Sequence, residues 1–546
     1  MESLYYGENA CGLEVASDED QRAYPHPMPR LLLPVLLVLF CAVVAVAAPT
    51  RRSNILIALA DDWSFPHASA YGTRWVNTPN FDRVAREGVL FSNAYTPVAK
   101  CSASRATLLL GRNPWQSGAA FVHWNYFPPE YRSYPEALAA AGYAIGFTGK
   151  GWSPGVARFP DGSPRNVLGP GFQARKLQPP TRGIANVDYA GNLSDFLDQV
   201  PADSPWCFWY GGNEPHRAYE FRSGVNKGGK SLDQIDRVPG YWPDHPDVRH
   251  DLLDYAMEIE HFDTQLGAIL EELARRGELD NTLVIVTADN GMPFPRVKGQ
   301  VYEAASHLPL AIRWPAGIPH PGRTVTDFVS FIDLAPTVLA AAGILPEASG
   351  MAAFAGRDLS PLLASNSNGR VDPSRDHVML GRERHDPGRP HNAGYPVRAI
   401  VTDGYLFLHN FAPERWPSGN PETGYLDTDA AATRDVLLQT RRAQGVTNPH
   451  WELNFGLRPA DELYALADDP DNIRNLALLP GHAAQLESLR RRLFDALRAE
   501  GDPRLTGNDP DFFDRYPFAN EAFNDLYERW QRGDLKLPHW ADPEPR

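Results

Sequence analysis

Two groups of hard oxygen donors stand at the ends of two apolar runs. The run NILIALA, residues 54–60, leads directly into Asp61-Asp62, and TLVIVT, residues 282–287, is followed by Ala288 and then Asp289-Asn290-Gly291. Three carboxylates and an amide offer oxygen alone, which suits Ca²⁺ or Mg²⁺, whereas zinc prefers His or Cys. Asp-Asn-Gly by itself is an ordinary turn signal. The recurrence at two run ends carries more weight, because ligands of open α/β sheets bind outside the carboxyl ends of strands. A third segment, CSASRATLLLGR at residues 101–112, predicts a short helix that begins near Cys101. Arg105, four residues on, shares a helix face with Cys101, and a helix N-terminus is electropositive. Such a place favours an anion on residue 101. A reactive thiolate and a buried structural cysteine beside a surface arginine are both open readings of these residues.

The elements that must position these groups alternate in type. The runs at 54–60, 143–148, 207–210, 282–287 and 308–313 read as strands. Helices are expected from Pro79 to a stop at Gly88, over 134–141, and as a long amphipathic stretch over 252–276. This alternation predicts an α/β fold, a large mainly parallel mixed sheet sandwiched by helices. Residues 346–375 are rich in Gly, Ser, Pro and Asn and read as a boundary. Beyond it, runs at 397–401 and 405–409 flank Asp403-Gly404, a hairpin signal, and a helix is expected at 481–499. A smaller C-terminal antiparallel sheet plus helix follows from this. The expected organisation is a leader over 1–47, a catalytic domain over 48–375 and an α+β subdomain over 376–546.

The segment Cys101-Ser102-Ala103-Ser104-Arg105, with Thr107, Leu109, Gly111 and Arg112, resembles the signature of the formylglycine-dependent sulfatases. The resemblance extends to Asp61-Asp62, Asn77-Thr78-Pro79-Asn80, Gly149-Lys150, Pro215-His216, Asp289-Asn290-Gly291, Glu462-Leu463-Tyr464, Asp469-Pro470 and Asn475-Leu476. Each piece is weak alone, and their order and spacing together are specific. The resemblance implies an alkaline-phosphatase-like fold and oxidation of Cys101 to formylglycine by a formylglycine-generating enzyme. It implies Ca²⁺, with Mg²⁺ the alternative, held by Asp61, Asp62, residue 101, Asp289 and Asn290. One hydroxyl of the hydrated aldehyde attacks sulfur, and the second expels sulfate. Arg105 stabilises the ionised diol, Lys150 and Lys298 clamp sulfate oxygens, and His216 protonates the leaving group. The segments Asn213 to Arg217 and Asp289 to Pro295 look most like the heparan N-sulfatase (sulfamidase) branch, and Arg217 joins the expected substrate contacts.

Two departures stand out. The third signature position, usually Pro, is Ala103, and the histidine usual two residues after the lysine is replaced by Trp152. His123 is a candidate for the missing sulfate contact, and the Trp152 ring for a face against a sugar. A phosphoester hydrolase of the same superfold and an inactive binder of sulfated glycans are the competing function classes.

Composition sets the outer limits. The chain has 546 residues, a net charge of −15, 43% hydrophobic and 22% charged residues, which is a globular balance. An acidic protein makes a poor nucleic-acid partner, although a local basic pocket still accepts an anion. Residues 31–48 form an uncharged, mostly apolar run after Arg30, and Ala45-Val46-Ala47 fits a cleavage site. Export to a periplasm or the exterior is expected, with a membrane anchor as the alternative. Without residues 1–47 the chain retains 61 acids and 50 bases, and only two of its four cysteines, Cys101 and Cys207.

Overall fold

Side chains along the first strand, β1 (Asn54–Ala60), alternate between two separate cores. Leu56, Ala58 and Ala60 enter one, and Ile55, Ile57 and Leu59 the other, so a continuous apolar run is what a strand covered on both faces requires. In the computed structural model, the described residues are 51–418, 428–445, 448–507, 509 and 511–535. The apolar run at 31–48 lies outside them. Among the described residues no helix is long and apolar enough to cross a membrane.

The remaining strands of the main sheet are β2 (Val89–Phe91), β3 (Ala144–Gly149), β4 (Trp206–Gly211), β5 (Thr282–Ala288), β6 (Leu310–Arg313) and β7 (Arg323–Val325). Their order is β7-β2-β6-β5-β1-β4-β3, and β6 alone runs against its neighbours. Helices α1 (Pro79–Arg86), α2 (Cys101–Leu110), α3 (Tyr134–Ala140), α4 (Tyr189–Leu197), α5 (Pro246–Arg275) and α6 (Leu334–Ala341) cover it. The core on one face is shared with α1, α4 and α5, and the core on the other with α2, α3 and α6.

Strands β8 (His377–Arg382), β9 (Val397–Thr402), β10 (Tyr405–Asn410) and β11 (Asp461–Ala465) form an antiparallel sheet in that order. Thr402 pairs with Tyr405 across the two-residue turn Asp403-Gly404. After α7 (Ala432–Gln444) comes α8 (Ala483–Ala499), whose Leu489, Leu493 and Leu497 pack with Ile400, Phe407 and Leu463. The expected α/β fold and C-terminal sheet are thus both present.

One boundary differs from expectation. Helix α5 starts at Pro246, six residues before the periodic pattern, and the His245 side chain accepts the Asp247 N–H. Its first turns carry Asp247, Arg249, His250 and Asp251, and Asp251 is buried despite its charge. A polar residue on the inward face hides the helical period.

Candidate active site

Strand register assembles the site. Gly149 pairs with Gly211, Gly211 with Leu59, and Ala60 with Ala288, so four parallel strands end at one edge. The residues that follow, Lys150, Asn213 to His216, Asp61-Asp62 and Asp289-Asn290, therefore emerge together. The approach is close: a Cβ on Gly211 would stand 1.9 Å from the Lys150 carbonyl oxygen, and one on Gly149 2.0 Å from that of Gly211. The N-terminus of α2 meets the same edge, where Ser104 Oγ donates to the Asp289 carbonyl at 2.5 Å.

Cys101 Sγ lies 3.5 Å from Asp61 Oδ1. Arg105 reaches back along the helix as expected, and its Nε donates to Asp289 Oδ2 at 2.8 Å while Nη2 stands 3.6 Å from Asp61 Oδ1. Its Nη1 also donates to the carbonyls of Lys150 (2.8 Å) and Gly151 (3.0 Å). Lys150 Nζ is 2.5 Å from Asp61 Oδ2. Lys298 Nζ bridges Asp62 Oδ2 (2.7 Å) and Asp429 Oδ2 (3.1 Å). His216 donates Nδ1–H to the Arg217 carbonyl at 2.6 Å, and its Nε2 stands 3.9 Å from Asp62 Oδ2.

Carboxylate oxygens of Asp61, Asp62 and Asp289 lie within 4.8 Å of one another, all buried. Asn290 donates Nδ2 to Asp62 Oδ1 and the Gly291 carbonyl, which leaves its Oδ1 buried without a partner. Three carboxylates and one unsatisfied amide oxygen fit a hard cation. A second group, Asp62, His216 and Asp429, also has ligand spacing. Its acids already share the Lys298 ammonium.

The charges support one another. Burial alone would raise the Asp61 carboxyl, but Lys150, with His216 and Arg105, holds it well below the usual carboxylate range. Asp289 moves the other way, raised by burial and by the neighbouring Asp61 charge. Lys150 and Lys298 stay firmly protonated: burial opposes their charge, and Asp61 for the first, Asp429 and Asp62 for the second, outweigh it. Burial pushes the Cys101 thiol up, opposed by Lys150 and Lys298. Cys207 is a buried free thiol in the core.

The three expected substrate contacts, Arg217, Trp152 and His123, each have partners within the protein. Arg217 turns inward, bidentate to Asp251 at 2.8 and 2.9 Å, between the rings of Tyr219 and Phe294. Trp152, partly buried, donates Nε1–H to the Ser102 carbonyl at 2.9 Å and sets its ring edge-to-face with Phe127, so it packs the first turn of α2. His123 donates Nδ1–H to Asp386 at 3.0 Å, and burial lowers it to about 4. Its Nε2 is buried with no hydrogen-bond partner among the described residues.

Sequence reasoning missed Lys100, Asp386 and Asp429. Lys100 precedes Cys101, is buried, and binds Asp386, which also accepts Trp124 Nε1–H. Its place beside the signature was the one available signal; the two acids belong to no motif.

Residues 53–344 match the model of the family described as Sulfatase. The chain is 29% identical to human N-sulphoglucosamine sulphohydrolase over 474 residues, which is 81% of this chain and 89% of that protein. An ulvan-active sulfatase of Formosa agariphila is 25% identical over 520 residues, 90% of this chain and 80% of the relative. Among solved structures, BT4656 in complex with its substrate D-glucosamine-2-N,6-O-disulfate superposes with a TM-score of 0.58 at 18% identity, covering 84% of this chain and all of that one. The phosphonate monoester hydrolase of Agrobacterium radiobacter gives a TM-score of 0.55 at 19% identity, over 83% and 97% of the two chains.

Proposed function

Because this chain belongs to the sulfatase family, we propose that it hydrolyses sulfate groups from sulfated carbohydrates, using formylglycine made from Cys101 and one divalent cation. The observation that supports this most is the convergence of Cys101, Arg105, Lys150, Lys298 and His216 on the buried group Asp61, Asp62, Asp289 and Asn290. Those four oxygen donors would hold the cation, which supplies Lewis-acid polarisation of sulfate oxygens. Formylglycine, once made by the maturation enzyme and hydrated, supplies an attacking hydroxyl and a second hydroxyl for release of sulfate.

The other roles belong to the unmodified side chains. Arg105 fixes Asp289 and Asp61 and places positive charge beside residue 101. Lys150 and Lys298 are held by their acids before substrate arrives, and they bind sulfate oxygens as preorganised cations. His216 keeps Nδ1–H on the Arg217 carbonyl, so Nε2 is the atom that passes a proton to the leaving oxygen or nitrogen. A phosphoester hydrolase with two full metal sites is disfavoured, because Lys298 sits between the acids that would make the second. Export is part of the same reading and rests on residues 31–48.

N-sulfated glucosamine is the first substrate to test, given the sulfamidase-like segments at 213–217 and 289–295 and the human relative. Ion chromatography of sulfate released from N-sulfated and O-sulfated glucosamines, beside phosphate released from a sugar phosphate, tests the proposal. Faster sulfate release is expected. Phosphate released faster than any sulfate would overturn it, and preference for an O-sulfate would reject the sulfamidase reading alone.

A further inference from the structure

Asp251 plays no part in the chemistry above, yet it is bonded to two segments that carry that chemistry. It lies in the second turn of α5, 2% exposed. Its carboxylate takes both Nη groups of Arg217, and its Oδ2 also accepts the backbone N–H (3.0 Å) and Oγ1–H (2.7 Å) of Thr433 in the first turn of α7. Arg217 in turn fixes two parts of the site. Its carbonyl receives His216 Nδ1–H, and its Nε donates at 2.8 Å to the carbonyl of Pro293, four residues beyond Asp289. Thr433 lies four residues beyond Asp429, the second anchor of Lys298.

The geometry points to Asp251 as the positioning residue of this active site, an inference that rests on the proposed sulfatase reaction. We assign it the task of holding the Arg217 backbone so that the His216 ring is locked in one tautomer and orientation, with Nε2 toward the leaving group. A planar guanidinium caught bidentate on one side and between two rings has little freedom. The carbonyl attached to it is correspondingly fixed. A histidine whose Nδ1–H is held in this way has one nitrogen left for proton transfer.

The test compares Asp251→Asn, His216→Ala and the double variant on a sulfated sugar and on an activated aryl sulfate. General acid catalysis contributes about 10²–10⁴-fold where the leaving group is poor and little where it is good. Asp251→Asn should therefore lose at least about tenfold more on the sugar than on the aryl sulfate. The double variant should be no worse on the sugar than His216→Ala. Equal losses on both substrates, or additive losses in the double variant, would overturn the assignment. Arg217→Lys keeps the charge and loses the fork, and it carries the same test with the same two outcomes if Asp251→Asn does not fold. Should the parent protein release no sulfate at all, the sulfatase reading falls separately. The crystal structure of Asp251→Asn, or of Arg217→Lys, then decides: a His216 ring that has left the Arg217 carbonyl supports the assignment, and an unmoved ring contradicts it.

Discussion

Lys298 shows how much one side chain does here. It is 5% exposed and shared by Asp62 and Asp429, so its removal leaves the buried Asp62 and the partly buried Asp429 facing each other with His216 beside them. Breaking a buried pair at one end costs about 3–5 kcal/mol. Lys298→Ala should lower the melting temperature in chelator and weaken sulfate turnover. It should also take up a second equivalent of divalent metal at the vacated position, against the single equivalent expected of the parent, and elemental analysis reads the difference. Unchanged stoichiometry would mean that the ammonium does not stand where a cation would. His123 offers a pH test. Burial, opposed by Asp386, lowers it to about 4, while an unfolded histidine takes its proton near 6.5. The unfolded chain thus binds the proton first as pH falls. The stability involved is fully present above 6.5 and is lost as pH drops through about 4, to a maximum of about 3 kcal/mol. Denaturant titrations of the parent and His123→Gln should show a stability difference that changes across that window. A difference flat in pH would contradict a buried neutral ring.

At the scale of elements, the four parallel strand ends are close enough that glycine is required between β3 and β4. Gly211 has the Lys150 carbonyl 1.9 Å from where a Cβ would be, and that carbonyl also receives Arg105 and Trp209. Gly211→Ala should displace Lys150 and reduce turnover far more than a surface Gly→Ala such as Gly481, whose Cβ would meet nothing. Comparable effects of the two substitutions would sink the argument. The same elements show what the sequence makes legible. β1, the hairpin of β9 and β10, and the start of α2 were readable because their signals are local: a continuous apolar run, Asp-Gly between two strands, an apolar helical run that opens near Cys101 and closes at Gly111. The start of α5 was obscured by Asp251, whose burial depends on Arg217 and Thr433, residues 34 and 182 positions away. Asp61, Asp62, Asp289 and Asn290 were legible because strand ends mark them. Asp429 and Asp386 were not, since they meet Lys298 and Lys100 across 131 and 286 residues. Arg217 and Trp152 carry motif-like positions, but their packing partners lie in other elements, and those partners determine where they point.

Across the whole molecule, a net charge of −15 coexists with four cations around Cys101: Lys100, Arg105 and Lys298, which are buried, and Lys150, which is partly buried. Each has an acidic partner, so these charges are held in place by local pairs whatever the overall charge. The fold makes that possible by closing one sheet edge with the N-terminus of α2, so Cys101, the acids Asp61, Asp62 and Asp289, and the cations meet at one place. The central claim is that residue 101 acts as formylglycine. Its most direct test is peptide mass analysis across residues 101–105 on protein made with and without the formylglycine-generating enzyme, with sulfate release measured on the same samples. The account predicts the aldehyde in the first sample, turnover in proportion to the converted fraction, and an inactive second sample. Full-rate sulfate release from protein that carries only unmodified Cys101 would contradict it.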